Sequence, residues 1–303
     1  MNDKKIDLHM HTINSDGTQT VEEILKELRG KGADIVAITD HDTVKGYFDI
    51  LKNPSIVPEG LTVIPSIEIT CNFENNPRDI LGYGIDLNIM NNYFSKRTNE
   101  EYMLKKERTV LKEFSKKCKE YGFILDDNLK VAEGKKSAGF NAVYFNLIKH
   151  EENLIKCPDL QDISYFYWQY IANKNSPLFI NESYDKPSFK EACDLIHKAG
   201  GYAFLAHPYC YKMSDEKTDI LIQAALDGGI DGIECFHSTH NEYHRERIKT
   251  IAQKNNLFLS GGSDYHGTHK PKIQSLTGTN NNVNVKYEMV EPWLKNVRKI
   301  TSK

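Results

Sequence analysis

The residues best equipped for chemistry open the chain, in the run Asp7-Leu8-His9-Met10-His11-Thr12-Ile13-Asn14-Ser15-Asp16-Gly17-Thr18. If the apolar start at Ile6 is a strand, side chains alternate along it and His9 and His11 share a face. Two imidazoles on one face, with the Asp16 carboxylate five residues on, offer a divalent cation its first ligands. A lone His-x-His is equally well explained by packing, so the signal depends on partners arriving from elsewhere in the chain. Further candidates are His41, Glu68, Asp79, His207, Glu234, Asp264 and His266. Imidazole and carboxylate without thiolate suit Zn²⁺, Mn²⁺ or Fe²⁺. So many ligands exceed the needs of one ion and imply two or three.

The elements that must position these residues follow from periodicity. Thr20-Val21-Glu22-Glu23 reads as a capping box ahead of Ile24, Leu25 and Leu28, with Gly30 and Gly32 as the stop. The β-branched run 33–38 is a buried strand ending in Thr39-Asp40-His41-Asp42, which makes a strand–helix–strand unit and predicts a parallel sheet. Strands are expected at 61–69, carrying Glu68, and at 80–85, with Asp79 just before it. Alternation resumes late in the chain. Strands at 202–206, 230–236 and 257–260 lead into His207, hold Glu234 and lead into Asp264 and His266 respectively. Candidate ligands at the ends of different strands are what a (β/α) barrel gathers at one mouth. Between residues 91 and 186 the pattern is helical. Phe140, Val143 and Tyr144 mark one helix, and the aromatic run Tyr165, Phe166, Tyr167, Trp168, Tyr170 is expected to be that region's core. The division predicted is a barrel first part (1–90), a helical insertion (91–186) and a barrel second part (187–303).

Composition bounds the rest. A net charge of −3 over 303 residues gives no general case for binding nucleic acid or membrane. No apolar run has the length of a membrane span and the polar start is no signal peptide, so a cytoplasmic protein is expected. The six cysteines show no paired spacing, which predicts reduced thiols rather than a disulfide framework or zinc ribbon. Each histidine taken singly could be a satisfied structural residue, Asp16 could merely cap the turn at Gly17, and Glu234 reads better as a supporting carboxylate than as a ligand. Lys270, beyond the last motif, could offer charge to phosphate, although a solvated turn explains it equally simply.

These motifs carry a resemblance. Asp7-Leu8-His9-Met10-His11 with Ser15-Asp16-Gly17-Thr18, Ile38-Thr39-Asp40-His41-Asp42, Ile67-Glu68-Ile69, Ala206-His207-Pro208 and Gly262-Ser263-Asp264-Tyr265-His266-Gly267 are similar, in order, to those of the PHP (polymerase and histidinol phosphatase) superfamily. The helical insertion resembles the branch of 3′,5′-nucleotide bisphosphate phosphatases and RNA 5′-end trimming enzymes. The resemblance implies a distorted (β/α)₇ TIM-like barrel. It implies one metal on His9, His11, Glu68 and Asp264, and a second on Glu68, Asp79 and His207. A third would take Asp16, His41 and His266. It also places His240 where substrate phosphate could be met, and proton delivery to the leaving group could fall to His240 or to a metal-bound water. Two departures stand out: Asp79 occupies a position where the family usually has histidine, and Ala138-Gly139-Phe140-Asn141-Ala142 lacks the arginine of the usual phosphate-binding segment.

The function implied is metal-dependent hydrolysis of a phosphate monoester on a small metabolite, a nucleotide or short oligonucleotide, by a metal-bridging hydroxide that Glu68 positions. Alternatives are histidinol phosphatase, a 5′–3′ exonuclease on short RNA, and a non-catalytic metal-binding module. Neither a membrane nor long duplex nucleic acid is expected as a partner.

Overall fold

The computed structural model describes residues 4–97, 99–132, 137–181, 183–269 and 283–302. The chain forms two compact units, one from residues 1–94 and 185–303, the other from Ser95 to Tyr184.

The first unit is built on alternation. Strand β1 (Lys5–Asp7) is followed by α1 (Val21–Gly30), β2 (Ala33–Ile38), α2 (Lys45–Lys52), β3 (Thr62–Phe73), β4 (Asn76–Tyr83) and α3 (Leu87–Phe94). The Thr20 capping box forms, with its hydroxyl accepting from the Glu23 amide, and Val21, Ile24, Leu25 and Leu28 are buried. The second unit holds α4 (Glu100–Glu120), α5 (Ala138–Leu147), α6 (Glu151–Lys156) and α7 (Ile163–Phe166), the last running into a π-helical turn at Tyr167–Ile171. The chain then returns as α8 (Phe189–Lys198), β5 (Tyr202–Leu205), α9 (Asp215–Gly228), β6 (Gly232–His237), α10 (Glu242–Asn255), β7 (Phe258–Gly262), α11 (Tyr287–Leu294) and the short β8 (Ile300–Thr301).

The seven strands pair in chain order, β1 through β7, and β8 adds to the edge of β3. Hydrogen bonds between the continuations of β1 and β7 close the sheet: Leu8 donates to Gly261, Asp264 to His9 and His11 to Tyr265. The result is an α/β, TIM-like barrel of seven mostly parallel strands. Close backbone approach makes this seam possible. A Cβ on Gly262 would lie 2.2 Å from the His9 amide nitrogen, so the Gly-Gly-Ser-Asp run admits no larger residue there.

One strand breaks the parallel rule. β4 runs antiparallel to both β3 and β5. It is joined to β3 by a two-residue turn at Glu74 and Asn75, both with left-handed φ (50° and 62°), the geometry that suits the strand twist. Asp79 therefore lies within β4, opposite Thr70, rather than ahead of a strand beginning at residue 80. The reversal has a consequence for the site. Parallel strands present their C-terminal ends at the mouth, so an antiparallel one must present its N-terminal half.

The core of this unit includes Leu8, Met10, Ile38, Ile67, Tyr83 and Phe204. Trp293 caps it from α11, stacking on Tyr83 at 5.1 Å and donating its indole N–H to the Leu259 carbonyl at 3.0 Å. The helical unit has a core of its own, in which Phe114 and Phe140 stack at 5.6 Å. Its aromatic run joins that core in part: Phe166 is buried in it and Tyr167 and Tyr170 pack against it, whereas Tyr165 and Trp168 are 50% and 65% exposed. Five aromatic residues within six consecutive positions point around the whole helix circumference, and one face must meet solvent.

Candidate metal centre

The mouth begins with the first strand. Past Asp7 the backbone stays extended enough for alternation to hold. Leu8 and Met10 go to the core, while the Nε2 atoms of His9 and His11 meet at 3.3 Å. The following loop is folded back by Asp40, whose carboxylate accepts from the Thr12 amide, the Thr12 hydroxyl and the Ser15 hydroxyl at 2.6–2.7 Å. This brings Asp16 to the histidines. Gly17 permits the turn, since a Cβ there would lie 2.4 Å from the His11 carbonyl oxygen.

Glu68, from the middle of β3, is fully buried at the centre. Its Oε2 is 3.1 Å from both His9 Nε2 and His11 Nε2 and 3.5 Å from His41 Nδ1, and its Oε1 is 3.0 Å from His207 Nε2. Asp264 adds contacts at 3.3 Å to His9 and 3.1 Å to His11.

Three groups of ligand atoms result, the atoms within each lying no more than 4.8 Å apart. One is His9, Glu68, His207 and Asp264; another is His11, Asp16, His41 and His266; a third is His41, Glu68 and Asp79. The nine expected ligands thus converge at one end of the barrel. These groups overlap the sets implied by resemblance: His9 and His11 each also approach both Glu68 and Asp264 at 3.1–3.3 Å, and Asp79 lies with Glu68 and His41. Backbone strain marks the same places. Asp42, His207 and Asp264 all have positive φ (53°, 22° and 53°), unusual for residues with a Cβ.

Hydrogen bonds fix how the imidazoles face. A carboxylate or carbonyl oxygen can only accept, so His9 Nδ1–H donates to Glu234 Oε1 at 2.9 Å, and Nε2, turned inward 3.1 Å from Glu68 Oε2, is the atom that would give up its proton to a cation. Glu234 Oε2 accepts from the His207 amide at 2.9 Å, so one buried carboxylate orients two neighbouring ligands. His266 Nδ1–H donates to the Asp264 carbonyl at 2.7 Å, aiming Nε2 at Asp16 Oδ2, 3.3 Å away. His207 Nδ1 is buried without a partner.

The electrostatics are those of a crowded ion cluster. Burial alone would lower the pKa of His11 and His207, but Asp264 and Glu68 override it, raising His11 to about 9 and His207 to about 10. Burial would raise Glu68, yet the surrounding imidazoles hold its carboxyl well below the usual range. Asp79 is pushed up, first by burial and then by the Glu68 charge, and Oδ2 accepts the buried Tyr211 hydroxyl at 2.9 Å.

His240 stands apart from the three groups. Its Nδ1–H donates to the Cys235 carbonyl at 3.0 Å, and Nε2 is buried without a partner. Burial, then the neighbouring His237, holds its pKa well below the usual imidazole value. It is therefore neutral, with its proton on Nδ1 and a lone pair to offer at Nε2. Lys270 lies outside the described residues.

Two further residues belong to the site. Tyr211 supports Asp79, as above. His237 is fully buried; the Thr239 amide donates to its Nδ1, so Nε2–H faces Asp264 Oδ2 at 3.3 Å. Strict alternation would place His237 on the opposite face from Glu234. A register shift between Glu234 and Phe236 restores it to the same side. A histidine ending a strand that carries an inward glutamate was the available signal, but the bulge that realises it leaves no mark in the residue types.

The donor set, imidazole nitrogen and carboxylate oxygen around buried charge, fits hard to borderline divalent ions such as Mn²⁺, Fe²⁺ and Zn²⁺. The PHP domain model matches residues 7–260. The chain is 26% identical over 265 residues to the 5′-3′ exoribonuclease Rnm of Escherichia coli (strain K12), covering 86% of this chain and 84% of that one. It is 23% identical over 263 residues to the 3′,5′-nucleoside bisphosphate phosphatase of Chromobacterium violaceum, covering 86% and 87%. Among solved structures it is similar to a proposed metal-dependent phosphoesterase from Bifidobacterium adolescentis, with 25% identity, a TM-score of 0.62 and 97% of each chain covered.

Proposed function

This chain belongs to the PHP domain family and is a hydrolase of phosphoric ester bonds; from that premise we propose that it cleaves a phosphate monoester of a small phosphorylated metabolite, a nucleotide. The observation that carries the reading is the quartet of His9, Glu68, His207 and Asp264, buried together at the barrel mouth. Two or three divalent ions would be held by His9, His11, Asp16, His41, Glu68, Asp79, His207, Asp264 and His266. Such ions supply Lewis-acid polarisation of a phosphoryl group and acidify water.

The protein's share of the work is orientation and charge. Glu234 and the Asp264 carbonyl each accept an imidazole Nδ1–H, which turns Nε2 of His9 and His266 inward as the atom that would meet a cation. Glu68, shared by the buried quartet and the group with His41 and Asp79, ties those two groups together. His240, being neutral, accepts a hydrogen bond from a substrate hydroxyl rather than protonating the leaving group.

The second reading, a 5′–3′ exoribonuclease on short RNA, draws on the 26% identical relative of that name. A release assay separates them, using Mn²⁺, Zn²⁺ and Fe²⁺ with nucleoside mono- and bisphosphates, histidinol phosphate and a 5′-labelled short RNA. Inorganic phosphate from the nucleotides is the expected product. Mononucleotides shed stepwise from RNA, with free nucleotides untouched, would replace this reading by the second. Inertness toward all of them would overturn both.

A further inference from the structure

We infer that Arg78 is the residue that binds a second phosphate group of the substrate, one lying beside the group being cleaved. The inference rests on the phosphoesterase reading above.

Arg78 directly precedes Asp79 on β4. Its guanidinium carbon lies 4.1 Å from the centroid of the Tyr211 ring. That ring has three neighbours in the site: Arg78 on its face, Asp79 at its hydroxyl and His207 set edge-on at 5.6 Å between centroids. Stacking of this kind presets the plane of a guanidinium and leaves its hydrogen-bonding edges available.

Those edges are poorly used. Nη1 donates to the carbonyl of Pro77, the preceding residue, and Nη2 to the weak acceptor Met213 Sδ at 3.5 Å. Nε is buried and has no partner. The contrast with other arginines of this unit is instructive. Arg29, Arg245 and Arg247 each lie against a carboxylate, and Arg298 caps the carbonyls of Gly84 and Ala199. Arg78 is held rigidly beside an anionic centre yet spends its charge on a carbonyl and a sulfur. A buried donor left unmade is costly, and a phosphate offers the paired oxygens that a planar fork fits.

Position selects which phosphate. The phenol of Tyr211 separates the guanidinium from Asp79, so Arg78 sits one ring beyond the ligand cluster. An anion seated there is a neighbour of the scissile group and not the group itself. Arg78 thereby favours a nucleoside carrying two phosphate groups, such as a 3′,5′-bisphosphate, over one carrying a single group.

The test uses Arg78→Gln and Arg78→Lys in the full-length, Mn²⁺-loaded protein, after bound metal and circular dichroism are matched to the parent. The ratio of kcat/KM for adenosine 3′,5′-bisphosphate over adenosine 5′-monophosphate should fall at least about tenfold in Arg78→Gln, with the change carried by KM. Arg78→Lys, which keeps charge but loses the fork, should fall between. Calorimetric binding of both nucleotides, measured in an Asp264→Asn background to suppress turnover, should show the same loss of discrimination. A ratio within about twofold of the parent, or equal weakening toward both nucleotides, overturns the assignment. Absence of phosphate release by the parent would count against the phosphoesterase reading alone, because the binding measurement still decides the role of Arg78.

Discussion

The two quartets at the barrel mouth are built from the same residue types and differ in how fully they are closed off from water. His9, Glu68, His207 and Asp264 are all buried, with two carboxylates facing two imidazoles. His11, Asp16, His41 and His266 have one carboxylate among three imidazoles, and the Asp16 side chain is 51% exposed. Charge in the inner group has no water to fall back on, so its protons and ions must balance internally. The outer group meets solvent through Asp16 and His41, while His11 and His266 are buried. Residue type alone does not rank these groups; burial separates one closed to water from one partly open to it.

The sharpest way to break that comparison is to remove one carboxylate from each group. Asp264→Asn, close in shape to the native residue but uncharged, should reduce phosphate release to background, because it alters the buried group and its contact with His11. Asp16→Ala should cost less, roughly 10–100-fold, and the loss should be partly recovered at higher Mn²⁺ concentration. Steady-state kinetics across a metal titration check both. Equal, unrecoverable losses would remove the distinction between inner and outer groups.

Asp79 sharpens the comparison from the side of β4. A carboxylate in the group with His41 and Glu68 makes that position harder and more negative, favouring Mn²⁺ over Zn²⁺. Asp79→Ala should lose one metal equivalent and most activity, whereas Asp79→His should retain the metal and move the preference toward Zn²⁺. Metal analysis of the purified variants gives the answer, and unchanged metal content in Asp79→Ala would reduce the residue to a partner for Tyr211.

The smallest expected effect is on pH. In metal-free protein His11 and His207 titrate near 9 and 10, above the unfolded imidazole value of about 6.5. Their contribution to stability is therefore complete below about pH 6.5 and lost as pH rises through those raised values. Glu68 and Asp264, held low, contribute above the usual carboxylate range and lose that contribution on acidification. Chelated protein should be most resistant to denaturant near pH 5–6 and weaker toward pH 10. Metal affinity should run the other way, rising with pH as ligands shed protons. Denaturant midpoints with and without chelator test the pair, and a chelated protein that gains stability between pH 7 and 10 would contradict the assigned proton positions.

Much of the barrel and its mouth is written locally. His-x-His at a strand end fixes two ligands on one face through the strand's period of two, and glycine at 17 and 262 marks where backbones must approach within a side chain's width. The Thr20 and Ser188 capping boxes announce their helices within four residues. These features depend on neighbours in sequence, and so composition and spacing reveal them.

What lay beyond the sequence depends on pairings over long separation. The turn at Glu74-Asn75 reverses β4 and carries Asp79 to the mouth from a strand direction that alternation does not predict. A register shift in β6 turns His237 toward Asp264, against the face its spacing from Glu234 implies. The tautomers of His9 and His266 are set by a carboxylate 225 positions away and by a carbonyl two positions away, and only the folded chain makes those contacts count. Arg78 is the clearest case. Its residue type reads as an ordinary surface cation on an exposed hairpin, and it acquires meaning only because Tyr211, from the loop after β5, lies beneath its guanidinium. Residue types supplied the candidate ligands; tertiary packing decided their grouping, their protons and which cation was left facing a carbonyl and a sulfur rather than a carboxylate.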